Sequence, residues 1–411
     1  MSSPTVISLF SGAGGIDFGF EAAKFRTAVA LDLDHDSCET LRRNRRWPVI
    51  ESDIFGVTPE QILDRAGLGR GEADVLIAGP PCQPFSKAGY WARGESGRLR
   101  DPRAATLDGF LRVLEAALPR AFLLENVHGI AYSSKDEGIA FLLREIAAIN
   151  RRTGSNYQPV SAVLNAAWFG VPQMRERFFM IASRDGTPFR FPDARFRPRE
   201  SEDRQLISLP TYRTAWDALA DVRDSGGEDL GLKGKWADLL PSIPEGSNYI
   251  WHTERGGGLR LFGWRRRYWS FLLKLAKALP SWTIQAQPGP AIGPFHWENR
   301  RLSMRELCRL QTFPDDVVIT GTQSAIQRQV GNAVPSLLAE ILAREIRTQL
   351  LGRRPLQTPI ELLPPDRSPA PPPERVRPVP AKYRSLVAEH AAHPGTGKGP
   401  RGREGREALE I

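Results

Sequence analysis

The chain has 411 residues, of which 41% are hydrophobic and 25% are charged, and its formal net charge at pH 7 is +9. These are globular proportions, and the length suffices for about two domains. Cys38, Cys82 and Cys308 lack a CxxC spacing and cannot all pair. That pattern argues against a disulfide scaffold or a zinc or iron–sulfur site, and it favours a reducing cytoplasm. No apolar run approaches the ~20 residues that span a bilayer, and the N-terminus lacks a basic region before an apolar stretch, so we expect neither membrane insertion nor secretion.

The positive charge is carried mainly by arginine, with 47 Arg against 9 Lys. A planar guanidinium suits phosphates and guanine edges, which favours a polyanionic partner. A GC-rich coding sequence would also enrich arginine. Composition alone leaves both interpretations open.

The first half of the chain alternates short apolar runs with helical patterns, which predicts an α/β fold with a doubly wound parallel sheet. Each predicted strand ends at a polar or turn residue. The carboxyl ends of parallel strands share one crevice, so these residues should form one site. The predicted strands are residues 5–10, 28–31, 49–50, 75–78 and 122–124, and a core-facing helix is predicted around 107–118.

From about residue 186 the alternation is lost, and Pro, Gly, Arg and Trp become frequent until about residue 300. Tryptophans interleaved with arginines suit nucleic acid, although a small core closed by tryptophan beneath a basic surface fits the same pattern. A helical pattern returns at 334–350. The predicted domains are therefore 1–185, a loop-rich domain at 186–300, and a segment at 301–352 that completes the first domain.

The residues from 353 to 411 are rich in Pro, Gly and Arg and have little to bury. That composition predicts a disordered tail. Deleting the tail should then leave the activity intact.

A glycine-rich turn follows the first predicted strand. Gly12, Gly14 and Gly15 would let a ligand approach the backbone at a helix N-terminus. Asp17 stands where GxGxxG requires its third glycine, which disfavours NAD and FAD. Asp32 ends the next strand, where a carboxylate can accept bonds from ribose hydroxyls. A nucleoside cofactor without a pyrophosphate, such as S-adenosylmethionine, fits better, although a turn beside an exposed aspartate needs no ligand at all.

Cys82 lies among prolines at the end of a predicted central strand. Prolines fix the backbone, so the pattern predicts a rigid loop that aims the thiol. Glu125 ends the next strand and would place an acid beside that nucleophile. Cys38 and Cys308 lie inside helical patterns and are predicted to be small buried apolar residues.

Six motifs occur in the order that they have in the DNA (cytosine-5) methyltransferases, and the chain resembles this family over nearly all of residues 4–350. Any one motif could be a coincidence, whereas six in order are specific. The motifs are FSGAGG at 10–15, PPCQPFS at 80–86, ENV at 125–127, QMRER at 173–177, RLQTFP at 309–314 and QVGNAVP at 329–335.

The resemblance implies a Rossmann-like S-adenosylmethionine-dependent methyltransferase domain with a smaller target-recognition domain. It implies methyl transfer to C5 of a cytosine flipped out of duplex DNA, with Cys82 as the nucleophile at C6 and Glu125 at N3. It also implies that Asn126 holds the Cys82 loop, that Arg177, with Arg175, contacts the cytosine O2 and the neighbouring phosphate, and that Pro81 belongs to the catalytic set.

The resemblance also assigns the binding residues. Asp32 replaces the family's frequent Glu, and Leu33 replaces an aromatic residue at the adenine face, so these two positions depart from the pattern. Thr283 and Ile284 resemble a Thr-aliphatic pair of the recognition domain. The cofactor residues are Phe10, Gly12, Gly14, Asp32, Leu33, Asp53, Ile54, Pro80, Asn332 and Val334. The DNA-binding residues are Gln83, Ser86, Arg255, Arg265, Arg267 and Thr283.

Two other functions share most of these features. An RNA (tRNA) cytosine-5 methyltransferase has the same fold, and a catalytically inactive DNA-binding regulator could keep the scaffold. The form PPCQPFS and the long recognition region favour DNA. One catalytic domain, one recognition region and no long N-terminal regulatory extension favour a prokaryotic restriction–modification enzyme. Such an enzyme would act on double-stranded DNA as a cytoplasmic, nucleoid-associated monomer without a metal, alongside an endonuclease of matching specificity.

Overall fold

The computed structural model describes residues 3–81, 102–127, 137–200, 208–222, 227–265, 269–388 and 390. Among these residues, no helix is both long and apolar enough to cross a membrane. The strands are β1 (Thr5–Leu9), β2 (Arg26–Asp32), β3 (Val49–Glu51), β4 (Val75–Ala78), β5 (Ala121–Val127), β6 (Val160–Asn165), β7 (Gln173–Met174), β8 (Glu176–Ser183) and β9 (Ser281–Trp282). The α-helices are α1 (Gly15–Ala22), α2 (His35–Asn44), α3 (Pro59–Ala66), α4 (Pro102–Ala117), α5 (Glu137–Thr153), α6 (Ala215–Leu219), α7 (Met304–Leu310), α8 (Gln323–Asn332) and α9 (Ser336–Gln349). Short 3₁₀ helices cover Ala166–Phe169, Ala237–Ser242, Tyr249–His252 and Ala381–Leu386.

A seven-stranded sheet in the order β3-β2-β1-β4-β5-β8-β6 forms the centre of the fold. The first five strands pair in parallel, as predicted, and the strand order reverses between β1 and β4. Strand β8 runs antiparallel to both β5 and β6, so the sheet is mixed rather than wholly parallel. All four residues of β4 are buried, as expected for a central strand covered on both faces.

Two hydrophobic cores lie on the two faces of the sheet. One face packs against α3, α4 and α5, and the other packs against α1 and α9. The predicted helices around 107–118 and 334–350 are confirmed as α4 and α9, with slightly different ends. The prediction for Cys38 and Cys308 is also confirmed, because both are buried within helices.

Helix α9 returns to the N-terminal part of the chain and packs directly on α1. A Cβ atom at Gly19 of α1 would lie 2.4 Å from the carbonyl oxygen of Ser336 and 2.5 Å from the Cβ of Ala339. Only glycine permits backbones to approach this closely. The C-terminal segment therefore completes the layer that supports β1.

The region between β8 and α7 contains little regular structure, as the sequence predicts, and it has its own cores. Trp297 is buried in one core, next to Trp216. In another, Trp236 stacks on Tyr383 with ring centroids 5.7 Å apart. The alternative of a small tryptophan-closed core is thus correct for Trp236 and Trp297. Trp269 and Trp282, in contrast, remain nearly half exposed.

The prediction of disorder after residue 352 is wrong for residues 353–388, which we call the C-terminal strap. The strap begins on α9, where the buried carboxylate of Glu340 accepts the backbone N–H groups of Glu361 and Leu362 at 2.9 Å each. Lys24 forms an ion pair of 2.8 Å with Glu361. The strap is therefore fixed to α9 and to the turn that follows α1.

The strap then crosses to the region between β8 and α7. The backbone N–H of Arg367 donates to Asp217 at 2.6 Å, and Glu374 joins the buried pair of Lys277 and Glu245 at 2.8 Å from the lysine Nζ. Tyr383 is buried, and its hydroxyl donates to the Lys235 carbonyl at 2.6 Å. This segment is thus held mainly by backbone hydrogen bonds and ion pairs. Its low content of apolar residues therefore does not reveal that it is ordered. Residues 391–411 lie outside the described part of the chain.

Candidate active site

The turn after β1 has an unusual backbone. Phe10, Gly12 and Gly14 all have positive φ, of 54°, 53° and 84°. A left-handed conformation costs a non-glycine residue such as Phe10 roughly 1–2 kcal/mol, and such strain is concentrated at functional sites. A Cβ at Gly14 would lie 2.9 Å from the Leu41 side chain, so glycine is required there for two reasons. The sequence-predicted turn is therefore a tightly constrained element at the carboxyl edge of the sheet.

Asp32 and Leu33 end the neighbouring strand β2 and adjoin this turn. The Asp32 carboxylate accepts the Gly12 N–H at 2.7 Å and the Asp34 N–H at 2.8 Å. Burial raises the pKa of Asp32, although these backbone bonds act in the opposite direction. Leu33 is 66% exposed, an unusual position for an aliphatic side chain. The turn and the second strand thus form one unit with an apolar surface open to solvent.

Asp53 and Ile54 follow β3, next to β2. Ile54 is buried, and a Cβ at Gly109 of α4 would lie 2.7 Å from its side chain, so the isoleucine is held against that helix. The Asp53 carboxylate accepts the Phe55 N–H at 2.8 Å. The structure therefore brings this sequence-predicted pair to the same edge as Leu33.

Asn332 and Val334 reach the glycine turn from the C-terminal segment. A Cβ at Gly15 would lie 2.4 Å from the Val334 carbonyl oxygen, so the two backbones are in direct contact. Val334 is buried, whereas Asn332 is exposed at the end of α8. The sequence-predicted return of the C-terminal segment to this turn is confirmed as a structural contact.

Glu125 and Arg177 form a buried ion pair where β5 and β8 run side by side. The Arg177 Nε lies 3.0 Å from a Glu125 carboxylate oxygen, with both side chains largely buried. Burial raises the pKa of Glu125, while the positive charge of Arg177 opposes that shift. A Cβ at Gly79 would lie 3.3 Å from the other carboxylate oxygen. The end of β4 therefore passes directly beside this acid.

Asn126 connects β5 to the chain after β4, because its side-chain amide donates to the Pro80 carbonyl at 3.4 Å. Pro80 is buried, and Pro81 is exposed. The predicted nucleophile Cys82 and the predicted DNA-binding residues Gln83 and Ser86 lie outside the described residues. The described segment that contains β4 ends at Pro81, immediately before Cys82, and Gly79 of that segment lies beside Glu125.

Arg175 is buried and bonded to backbone. It is 1% exposed, and its guanidinium donates to the carbonyl oxygens of Ile284 at 3.2 Å and Gly331 at 2.7 Å. Through these two bonds Arg175 joins three parts of the chain, while its buried Nε has no hydrogen-bond partner among the described residues. The prediction that Arg175 joins Arg177 at the cytosine O2 and the neighbouring phosphate stays a prediction.

Gln173 and Thr283 join the end of the central sheet to the region between β8 and α7. The Gln173 side chain accepts the Ile284 N–H at 3.1 Å and donates to the Leu310 carbonyl at 3.2 Å. The Thr283 hydroxyl donates to the Met174 carbonyl at 2.6 Å, and β9 pairs with β7 in parallel. Thr283 was predicted to bind DNA. The structure gives its hydroxyl a protein partner while leaving the residue exposed.

The predicted recognition arginines differ in their surroundings. The Arg255 guanidinium lies 3.8 Å from the ring centroid of Trp264, a cation–π contact. Arg265 is exposed, and its backbone carbonyl accepts the Tyr249 hydroxyl at 2.7 Å. Arg267 lies outside the described residues.

Asp17 is a buried acid. The sequence pattern singles it out only because it occupies the position of the third glycine in GxGxxG. It is fully buried on α1, and neither carboxylate oxygen has a hydrogen-bond partner among the described residues. Burial raises the pKa of Asp17 to about 7, against a smaller opposing effect of the nearby Ser8 hydroxyl. Its burial could not be read from the sequence, because the pattern of α1 gives no partner for a carboxylate.

Comparison with known proteins places the chain in a family. The family model described as C-5 cytosine-specific DNA methylase matches residues 4–348. The Type II methyltransferase M.SacI of Streptomyces achromogenes is 40% identical over 372 residues, which cover 84% of this chain and 93% of that protein. The Type II methyltransferase M.NgoFVII of Neisseria gonorrhoeae is 32% identical over 358 residues, covering 84% and 87%. A prophage-encoded protein of Escherichia coli has a similar fold, with a TM-score of 0.59 and 24% identity, over 85% of this chain and 100% of that protein.

Proposed function

Because the chain belongs to the C-5 cytosine-specific DNA methylases and is a DNA (cytosine-5) methyltransferase of the Type II restriction–modification kind, we propose how it acts. It transfers a methyl group from S-adenosylmethionine to C5 of a cytosine that is flipped out of a short specific duplex sequence. The transfer passes through a covalent bond between Cys82 and C6 of the cytosine. The modified sites are then protected from an endonuclease of matching specificity.

The observation that carries the proposal is the Glu125–Arg177 pair at the carboxyl end of β5. Cytosine C5 is too poor a nucleophile to accept a methyl group unaided, so electrons must first be added to the ring. Thiolate attack at C6 adds them, and a proton held at N3 absorbs the charge that develops. The raised pKa of Glu125 keeps the carboxyl protonated to higher pH, as a donor to N3 requires.

The chain that leads to Cys82 passes beside this acid. Gly79 and Pro80 lie beside Glu125 and Asn126, and the Asn126 amide holds the Pro80 carbonyl. These contacts support the proposal that Cys82 acts together with Glu125. Cys82 would attack C6 as the thiolate and leave again after the C5 proton has been lost to a base.

The residues at the carboxyl edge fit S-adenosylmethionine. Leu33 offers an exposed apolar surface to the adenine, Asp32 retains acceptor capacity for ribose hydroxyls, and the strained turn at Phe10 and Gly12 brings backbone to the ligand. Asp53, Ile54, Pro80, Asn332 and Val334 would complete the pocket. When bound, the cofactor supplies an electrophilic methyl group on its sulfonium.

Duplex DNA fits the remaining features. A target base inside a helix cannot reach a buried acid, so the nucleotide must be flipped out, which costs a few kcal/mol of stacking and pairing. Contacts from the region between β8 and α7, with Arg255, Arg265, Arg267 and Thr283 as candidates, would offset that cost. Gln83 and Ser86 would contact the DNA from the catalytic side. We propose that one protein molecule acts on each site.

Base-resolution bisulfite sequencing tests this function. Plasmid is recovered from cells that express the wild-type chain or, in parallel, Cys82→Ala. We expect protected cytosines at one short recurring sequence with the wild type and none with the variant. Purified Cys82→Ala should still bind a duplex that carries the mapped site.

Trapping the covalent species provides a second measurement. A duplex with 5-fluorocytosine at the mapped position should form a stable adduct in the presence of cofactor, because fluorine cannot leave as the C5 proton does. Cys82→Ala is the control and should form none. Methylation that persists in that variant would remove Cys82 as the nucleophile, and methylated RNA with unmodified plasmid would identify a different substrate.

A further inference from the structure

Two exposed tryptophans form a pair at the surface between the catalytic sheet and the recognition region. Trp269 and Trp282 are 47% and 41% exposed, and their rings meet edge to face, with centroids 5.3 Å apart and planes at 79°. Indole rings are among the most costly side chains to leave in water, so an exposed pair indicates a binding surface. We call Trp269 and Trp282 the tryptophan pair.

The tryptophan pair is held rigidly from both sides. The Gln285 side-chain amide donates to the Ser270 hydroxyl at 2.7 Å, which ties together the segments that carry the two rings. The Asn248 amide donates to the Trp269 carbonyl at 2.7 Å, and the Gln327 amide of α8 donates to the Gln285 carbonyl at 2.6 Å. A fixed aromatic surface can bind a ring at little entropic cost.

The strand pairing limits the distance between the tryptophan pair and the candidate catalytic acid. Trp282 pairs with Met174 across β7 and β9, and Met174 precedes Arg177 by three residues. Adjacent strands are about 4.8 Å apart and an extended residue spans at most ~3.6 Å, so the Cα atoms of Trp282 and Arg177 lie within roughly 16 Å. Arg177 contacts Glu125. A duplex whose cytosine reaches Glu125 would therefore place its neighbouring bases within range of these rings.

We infer that Trp282, supported edge-on by Trp269, stacks on a nucleobase next to the target cytosine and thereby offsets part of the cost of flipping. The inference rests on the proposed function, since it needs a flipped cytosine at Glu125. Removal of the cytosine from the helix leaves neighbouring base faces unstacked, and an indole can cover any base whatever its sequence. The exposed Arg265, near Trp269 in the chain, adds positive charge for the backbone phosphates.

The test compares DNA binding and turnover by four variants on a duplex that carries the mapped site. Trp282→Ala should weaken binding by roughly 5- to 150-fold, the range for the loss of one base–aromatic stack, and kcat/KM should fall at least as far. Trp269→Ala should have the same direction and a smaller size. Trp282→Phe keeps a ring and should recover most of the binding. Leu279→Ala removes an apolar side chain that is 50% exposed, three residues from Trp282, and should stay within about twofold of wild type.

A cross-linking measurement separates stacking from a structural role. Duplexes with 5-iodocytosine or 5-iodouracil at pyrimidines flanking the target are irradiated with the wild type, and the cross-linked peptide is identified by mass spectrometry. We expect the bond at Trp282, and we expect melting temperatures of all variants near that of the wild type. The inference is overturned if Trp282→Ala binds and methylates like Leu279→Ala while the wild type is active. It is also overturned if the cross-links map elsewhere. A wild-type chain that methylates no site would instead contradict the proposed function before any variant is compared.

Discussion

Strands β1, β4 and β5 bury nearly every side chain between two layers of helices, whereas the C-terminal strap fully buries only Tyr383 among its described residues. The strands are held by apolar packing and parallel hydrogen bonds. The strap is held by ion pairs and by N–H groups that donate to Glu340 and Asp217. Both are ordered parts of one molecule, but only the strands leave a periodic pattern in the sequence. Low apolar content therefore indicates how a segment is bound and does not establish that it is unbound.

The largest expected effect concerns the catalytic edge of the sheet. Glu125→Gln should lower kcat/KM by roughly 100- to 10,000-fold, because the amide cannot transfer a proton to N3, while DNA binding is retained. In the wild type, activity should fall as pH rises through the raised pKa of Glu125, since the protonated carboxyl is the donor. Steady-state kinetics across pH, with binding measured separately, checks both. A pH profile unchanged in the variant would argue against this role.

The second-largest expected effect concerns Asp17, the buried acid on α1. Asp17 has a folded-state pKa of about 7 against a usual 3.8, so its contribution is favourable below about pH 4 and is lost as pH rises through 7. At one pKa unit per 1.36 kcal/mol, Asp17→Asn should raise the free energy of unfolding at pH 8 by as much as ~4 kcal/mol and change it little at acidic pH. Urea titrations at the two pH values measure this. Asp193→Asn, at an exposed site, is the control, and equal curves for both variants would contradict the assignment.

A third effect tests the strap directly and reverses the expectation from composition. Termination after Gly352 should lower the free energy of unfolding by ~3 kcal/mol or more, the usual cost of losing one large buried aromatic side chain such as Tyr383. Tyr383→Phe, which loses only the bond to the Lys235 carbonyl, should cost about 1 kcal/mol. Termination after His390 is the matched control. If the chain that ends at Gly352 keeps wild-type stability and methylation, the disordered tail predicted from composition is supported and the structural role of the strap is not.

The smallest expected effect comes from an exposed contact of the strap. Lys24 and Glu361 are each about half exposed, so solvent screens their pair. Lys24→Ala should change the free energy of unfolding by no more than ~1 kcal/mol. Thermal unfolding in low and high salt measures it. A larger, salt-independent loss would mean that the strap depends on this one contact.

Much of the sheet could be predicted from the sequence because buried parallel strands are short apolar runs with polar residues at their ends. The positions of Gly12, Asp32, Asp53 and Glu125 follow from that rule, and all of them lie at the carboxyl edge. Strand β8 was not predicted. It passes from the charged Glu176 and Arg177 into an apolar run, and nothing local states that it pairs antiparallel with β5.

The candidate site was harder to predict where a side chain acts through distant backbone. Arg175 and Arg177 are two residues apart in one motif, yet Arg177 pairs with Glu125 while Arg175 donates to carbonyl groups of Ile284 and Gly331. Every residue has a backbone carbonyl group, so the sequence of the motif does not indicate which carbonyl groups Arg175 will bind. The tryptophan pair illustrates the same limit, because exposure depends on which neighbours cover each ring.

The contact between Gly15 and Val334 joins positions near opposite ends of the family-matching segment. During synthesis, the first strands leave the ribosome long before α9 has been made. Until then the glycine turn lacks its contact with Val334. Contacts between such distant positions also form late, because closing a long loop is entropically costly. We therefore expect an emerging chain to have no completed cofactor pocket until α9 has been translated. A partly synthesised chain would then be unable to transfer a methyl group, whether or not it binds DNA.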